Sequence, residues 1–178
     1  MKYINILVTL DENYITYLNV MLYSLLYSNP DCYFRVYLLH SSIPDAALTE
    51  TRSILDGAGE LIPVQAKDSG LDDAPTTSRY PKEIYYRIFA AKYLPEDVDR
   101  VLYLDPDIIV NGSIKELYEL NMDDYYFAAC SHIRRMLHVY NELRLGMDED
   151  SPYINSAIPR VPQMCHSIPE EPVFPALS

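Results

Sequence analysis

Positive charge is what this sequence has least of: 14 Lys and Arg stand against 26 Asp and Glu, a formal net charge of −12 over 178 residues. Nucleic-acid binders need basic side chains clustered against phosphates, so that class is excluded. A chain this acidic needs a metal cation to offset its own field if its substrate is anionic. Cysteine is also scarce. Cys32, Cys130 and Cys165 are odd in number and widely spaced, which builds neither a disulfide framework nor a zinc cage and implies a reducing compartment. The few glycines are scattered and form no phosphate-binding loop, and no G-x-S-x-G elbow is present. Histidines 40, 132, 138 and 166 have no metal-ligand spacing to one another. Tryptophan is absent while tyrosine counts 17; a tyrosine-rich interior with wet hydroxyl tips explains this as well as carbohydrate stacking does.

Long apolar runs are missing too, and nothing approaches the roughly 18 residues of a membrane span. The N-terminal YINILVTL meets Asp11 and Glu12 at once, with no small-x-small cleavage site after it, so no secretory signal is expected. The expectation is a cytoplasmic protein. What is present is a globular composition, 49% hydrophobic and 22% charged, at a length that allows one domain.

Strand-like and helix-like patterns alternate along the chain. Residues 3 to 10 form a continuous apolar run, the mark of a strand buried on both faces. Tyr14, Tyr17, Leu18, Met21, Leu22 and Leu25 then recur at helical spacing until Asn29-Pro30-Asp31. A strand from Tyr33 to Leu39, a helix from about Pro44 to Leu55 and a strand from Glu60 to Gln65 follow. This order predicts an α/β fold with a mostly parallel sheet and right-handed crossovers. Residues 66–79 read as a loop, Pro81 opens a helix to about Tyr93, and Val101 to Leu104 is the next buried strand. A short helix over Ile114 to Leu120, a strand from Tyr125 to Cys130 and a helix over 131–145 complete the pattern. From residue 151 six of the thirteen prolines crowd the chain, which predicts an irregular segment.

The chemistry-bearing motif is VLYLDPDIIV. In an extended segment residues two apart point the same way, their Cα atoms roughly 6.5 Å apart, so Asp105 and Asp107 can converge on one cation. Carboxylate pairs at the carboxyl end of a buried strand lie where open α/β sheets place ligands, and hard oxygen donors favour Mg or Mn. The same three residues also make an Asp- and Pro-rich turn, and D-x-D is a common tripeptide. Asp11-Glu12-Asn13-Tyr14 either caps the helix that follows or offers polar groups and a stacking face to a nucleoside. Arg87 is either a surface arginine or a pyrophosphate or sugar contact.

In order, NILVTLDENY, SRYPKEIYYRIFAAKYLP, DRVLYLDPDIIV and SPYINS resemble the family-8 glycosyltransferases across about residues 1 to 156. The resemblance implies a GT-A, Rossmann-like sheet flanked by helices, incomplete at its C-terminal end. It also implies retaining transfer of a hexose from UDP-glucose or UDP-galactose with Mn(II), or alternatively Mg(II), in cell-surface glycan or lipopolysaccharide synthesis. By position, Asp105 and Asp107 match the metal pair beneath the UDP pyrophosphate. Asp11 and Asn13 match uridine contacts, Tyr14 the ring stacked on uracil, and Thr9 and Leu10 the backbone lining of that pocket. Tyr80 falls where the family flanks the base, Arg87 near the donor sugar and phosphates, and Asn155 where an asparagine touches the sugar. The acceptor is a glycan or lipid-linked saccharide of unknown identity.

The departures lie downstream. After N-[AS] the family continues with glycine and an apolar strand, whereas here Asn155 leads to Ser156-Ala157-Ile158-Pro159-Arg160. The family's acidic-glutamine segment near the reacting carbon has no counterpart, so no catalytic residue is assigned. Its later metal histidine also has none, and His166 lies too early to stand for it. The expectation is a nucleotide-sugar-binding part over 1–156 and a Pro-rich irregular tail over 157–178, in a truncated member whose reading frame changes near 157. Such a chain would self-associate through an uncovered sheet edge. Two alternatives stand beside transferase activity: a non-catalytic nucleotide-sugar-binding remnant or inactive fragment, and a phosphatase of the haloacid dehalogenase type, which also sets D-x-D after a buried strand.

Overall fold

The computed structural model describes residues 3–66, 86–87 and 90–122, and the backbone of 127–130 and 156–159. The loop expected beyond Ala66, most of the helix expected from Pro81, the helix expected over 131–145 and the chain from residue 160 onward lie outside the described residues, as do Tyr80 and Asn155.

The first apolar run becomes β1 (Tyr3–Thr9), buried at every position after Tyr3. Its side chains alternate between two cores. Ile4, Ile6 and Val8 meet Leu18, Met21, Leu22 and Leu25 of α1 (Ile15–Ser28), together with Phe34, Val36 and Leu38 of β2 (Tyr33–His40). On the other face Leu7 joins Tyr37, Leu39, Tyr86, Ala90, Leu94, Val98 and Tyr103. Burial on both faces is why β1 and β2 are nearly uninterrupted apolar sequence rather than an alternating one. Helix α1 carries no charged residue; its outward Tyr17, Val20, Tyr23 and Tyr27 are exposed.

Helix α2 (Thr49–Leu55) follows a 3-10 turn over Asp45–Leu48, and the two together span the helix expected from Pro44. The α1–α2 seam holds a buried hydrogen bond, Thr51 Oγ1 to Asn19 Oδ1 at 2.7 Å. Gly57 then turns the chain at φ +79°, a conformation that favours glycine. Gly59 opens β3 (Gly59–Gln65) where a Cβ would lie 2.6 Å from the Phe34 carbonyl oxygen. Among the described residues β3 is an outer strand of its sheet, which is where Pro63 is tolerated.

The sheet order is β3-β2-β1-β4, all parallel, with β4 (Leu102–Tyr103) paired to β1 through Ile6–Leu102 and Leu7–Tyr103. The chain therefore builds outward from β1 to β3, then crosses back to add β4 on the opposite side. Helix α3 (Lys115–Tyr118) is shorter than the span expected from Ile114 to Leu120. Strands β5 (Phe127–Cys130) and β6 (Ser156–Pro159) form a separate antiparallel pair, with β6 close to β4. Regular structure thus reaches three residues into the segment expected to be irregular from 157.

His40 closes β2 and is buried, its Nδ1 accepting the Ile43 backbone N–H at 2.9 Å. Burial holds its pKa below the ordinary 6.5. The native ring is therefore neutral where the unfolded one has begun to take a proton. Its contribution to stability is complete above about pH 6.5 and is lost as pH falls toward and through the depressed native value. His40→Asn retains an acceptor for Ile43 without titrating, and urea midpoints measured across this window should fall less in that variant than in wild type.

Candidate functional site

In an open α/β sheet, ligands bind outside the carboxyl ends of the strands where strand order reverses. That point here is the gap between β1 and β4, and both motifs singled out in the sequence flank it. On the β1 side, Thr9 and Leu10 are buried, and Leu10 N–H continues the ladder to the Leu39 carbonyl at 3.4 Å. Asp11 caps the 3-10 turn Glu12–Tyr14, its Oδ1 accepting the Asn13 N–H at 2.8 Å. Asp11 thus caps the 3-10 turn that leads into α1, whereas α1 itself has no side-chain cap at Tyr14; the bond fixes the turn that presents Asn13 and Tyr14. Tyr14 is 42% exposed, with the Tyr17 ring 5.4 Å away and tilted by 41°.

On the β4 side, Leu104 N–H donates to the Leu7 carbonyl at 3.0 Å, the last bond before the acidic motif. Pro106 and Asp107 then lie in a turn. The alternation of an extended strand, on which convergence of the two carboxylates was argued, does not continue through Asp107; any convergence must come from the turn. Asp105 is partly buried and Asp107 exposed.

The structure groups Arg87, Tyr103, Asp105 and Thr9. Arg87 Nη1 lies 3.9 Å from Asp105 Oδ1, and its guanidinium carbon sits 5.4 Å from the Tyr103 ring centroid. The Tyr103 hydroxyl is 3.3 Å from Thr9 Oγ1 and bridges β4 to β1. Burial first, and then the negative charge of Asp105, push the Tyr103 pKa up to about 12. At neutral pH it is a protonated donor beside a carboxylate. Tyr103 was not among the residues named from sequence. The signal was present in VLYLDPD: Tyr103 is two residues before Asp105, on the same side of the chain as it leaves the strand.

Two carboxylates are suitable donors for a hard divalent cation. Among the described residues no three His, Cys, Asp or Glu side chains come together as a metal set. Asp105 and Asp107 are the carboxylates here that could hold such a cation, which would take its other ligands from an anionic substrate and water.

The parallel sheet with its flanking helices is of the GT-A, Rossmann-like class. The fold agrees with solved structures of that class. The galactosyltransferase LgtC, in complex with donor and acceptor sugar analogs, superposes with a TM-score of 0.77 over 89% of this chain and 58% of that one, at 24% identity. An active-site mutant of LgtC gives a TM-score of 0.81 over 93% and 60%, at 23% identity.

The chain belongs to glycosyl transferase family 8, whose family model matches residues 5–160. A lipopolysaccharide 1,2-glucosyltransferase of Escherichia coli is 27% identical over 150 residues, 84% of this chain and 44% of the relative. A lipopolysaccharide 1,3-galactosyltransferase of Salmonella typhimurium is 29% identical over 126 residues, 70% of this chain and 37% of the relative. The chain thus spans less than half the length of these two curated relatives.

Proposed function

We propose that this chain binds a UDP-hexose, UDP-glucose or UDP-galactose, and transfers the hexose with retention to a glycan or lipid-linked saccharide of the cell surface. The observation that carries the proposal is the placement of the Asp11–Tyr14 turn and the Asp105–Asp107 turn on either side of the β1/β4 switch point. The lipopolysaccharide glucosyl- and galactosyltransferases among its relatives support the substrate class.

In this reading Tyr14 offers its ring to the base, while Asp11 and Asn13 meet the uridine. Asp105 and Asp107 hold Mn(II), with Mg(II) as the alternative. The bound cation supplies Lewis-acid neutralisation of charge on the departing diphosphate. Arg87 provides a further positive charge on the donor side, and Tyr103 keeps a proton beside Asp105 throughout the working range. Tyr80 and Asn155 complete the donor contacts. The free Cys32 suits work in the cytoplasm, and among the described residues no helix is long and apolar enough to cross a membrane. The D-x-D turn follows the fourth strand of the parallel sheet, not the first, among the described residues, which weighs against the phosphatase alternative.

Calorimetric titration of UDP-glucose and UDP-galactose, each with Mn(II) and with EDTA, tests the proposal. Binding should tighten by at least about tenfold with metal, the lower end of what metal-site groups contribute. Equal affinity in both conditions would remove the cation from the site. An assay for released UDP with a saccharide acceptor then separates a transferase from a donor-binding module.

A further inference from the structure

The segment after the acidic turn is neither helix nor strand, yet it is tied down. Val110 donates its N–H to Ser24 Oγ at 2.9 Å, and its carbonyl accepts from Ser28 Oγ, also at 2.9 Å. Both backbone groups of one residue are thus held by two side chains one turn apart on α1. The Ser24 hydroxyl proton goes to the Met21 carbonyl at 2.7 Å, which leaves its oxygen to accept. One step further, buried Asn29 donates to the Gly112 carbonyl at 3.3 Å and accepts the Ile114 N–H at 2.9 Å. Ile108 and Val110 pack against the α1 side of the core, while Ile109 between them is 64% exposed.

The acidic turn is therefore suspended between two anchors. Before it, Leu104 is bonded to β1; after it, Val110 is bonded to α1. Asp107, exposed on the turn, has little packing to set its position. Metal ligands must be held to about 0.5 Å, so an exposed carboxylate depends on the backbone beneath it. Asp107 is three residues from the α1 anchor, too short a tether for slack at Val110 to leave it unmoved.

We infer that Ser24 and Ser28 are positioning residues for the metal pair: by holding Val110 from both sides they set where Asp107 meets the cation. The inference rests on the donor-site reading above. It makes α1 a rod with two tasks: its first turn adjoins Tyr14, and its later turns hold the strap that carries the second carboxylate.

The test is the double variant Ser24→Ala/Ser28→Ala, chosen because alanine favours helix and should leave α1 intact. UDP affinity is measured with Mn(II) and with EDTA, and the bound ion is followed by Mn(II) electron paramagnetic resonance. The ratio of the two affinities should fall by about tenfold, as for lost outer-sphere support of a metal site, with an altered spectrum of the bound ion. Ser24→Thr/Ser28→Thr, which keeps both hydroxyls, should restore most of the ratio. An unchanged ratio overturns the inference, and so does a proportional loss in both conditions, which would mark a general effect on folding. Wild-type protein that binds UDP no better with Mn(II) overturns the donor reading and the inference with it.

Discussion

Asp105→Ala is expected to abolish the manganese-dependent part of UDP-sugar binding, while Arg87→Ala should move metal and nucleotide affinities in opposite directions. Asp105 is the partly buried member of the pair, and without it the exposed Asp107 alone faces the cation. Outer-sphere partners of metal sites are worth about 10- to 100-fold, so loss of a direct ligand should reach on the order of 100-fold. Arg87, 3.9 Å from Asp105, repels a cation that approaches the same carboxylate. Both side chains are substantially exposed, which limits the effect to that of a surface ion pair. Mn(II) alone should bind up to about fivefold tighter to Arg87→Ala, whereas UDP-sugar should bind more weakly for want of a phosphate contact. Calorimetry with metal alone and with metal plus UDP-glucose reads both signs. Weaker metal binding by Arg87→Ala would show that the arginine supports the carboxylate and does not compete for it.

The largest effect on stability should come from Phe34→Ala. Phe34 has no solvent exposure and lies in the core between β2 and the helices. Its backbone pairs with Ile4 on one side and Gly59 on the other, where the bare Gly59 backbone passes close to its carbonyl. A close-packed strand pair of this kind cannot collapse into the vacated space, so a loss of about 3–5 kcal/mol is expected. Domains are stable by about 5–15 kcal/mol, so the variant should be marginally folded at room temperature. Urea unfolding followed by circular dichroism measures the shift. A change below about 1 kcal/mol would place Phe34 outside any tightly packed core.

The parallel sheet was legible because its strands are buried on both faces and so stand out as apolar runs: the first three strands begin and end within one residue of expectation. The acidic motif was legible as a residue pattern, but its shape was not. The segment through Asp107 was read as extended, and Pro106 and Asp107 instead sit in a turn. The short strand over Ser156–Pro159 was hidden by the prolines around it, because edge pairing asks nothing of a terminal Pro159 N–H. Tyr103 was passed over as core, and its ring is indeed buried; only tertiary placement puts its hydroxyl against Thr9 and its ring beneath Arg87. Ser24 and Ser28 gave no sign at all. In a helix such residues read as neutral fillers, and their partner is 82 to 86 residues away.

The order of the strands also governs when the site comes into being. Tyr3 finds Tyr33 after a separation of 30 residues, but Ile6 must wait for Leu102, 96 residues on. Closing the longer loop costs about 1 kcal/mol more in chain entropy, and contacts this distant slow the search. The first three strands and two helices can assemble while the acidic turn is still remote, so the candidate site is completed late in folding, once its far wall docks on a sheet already built.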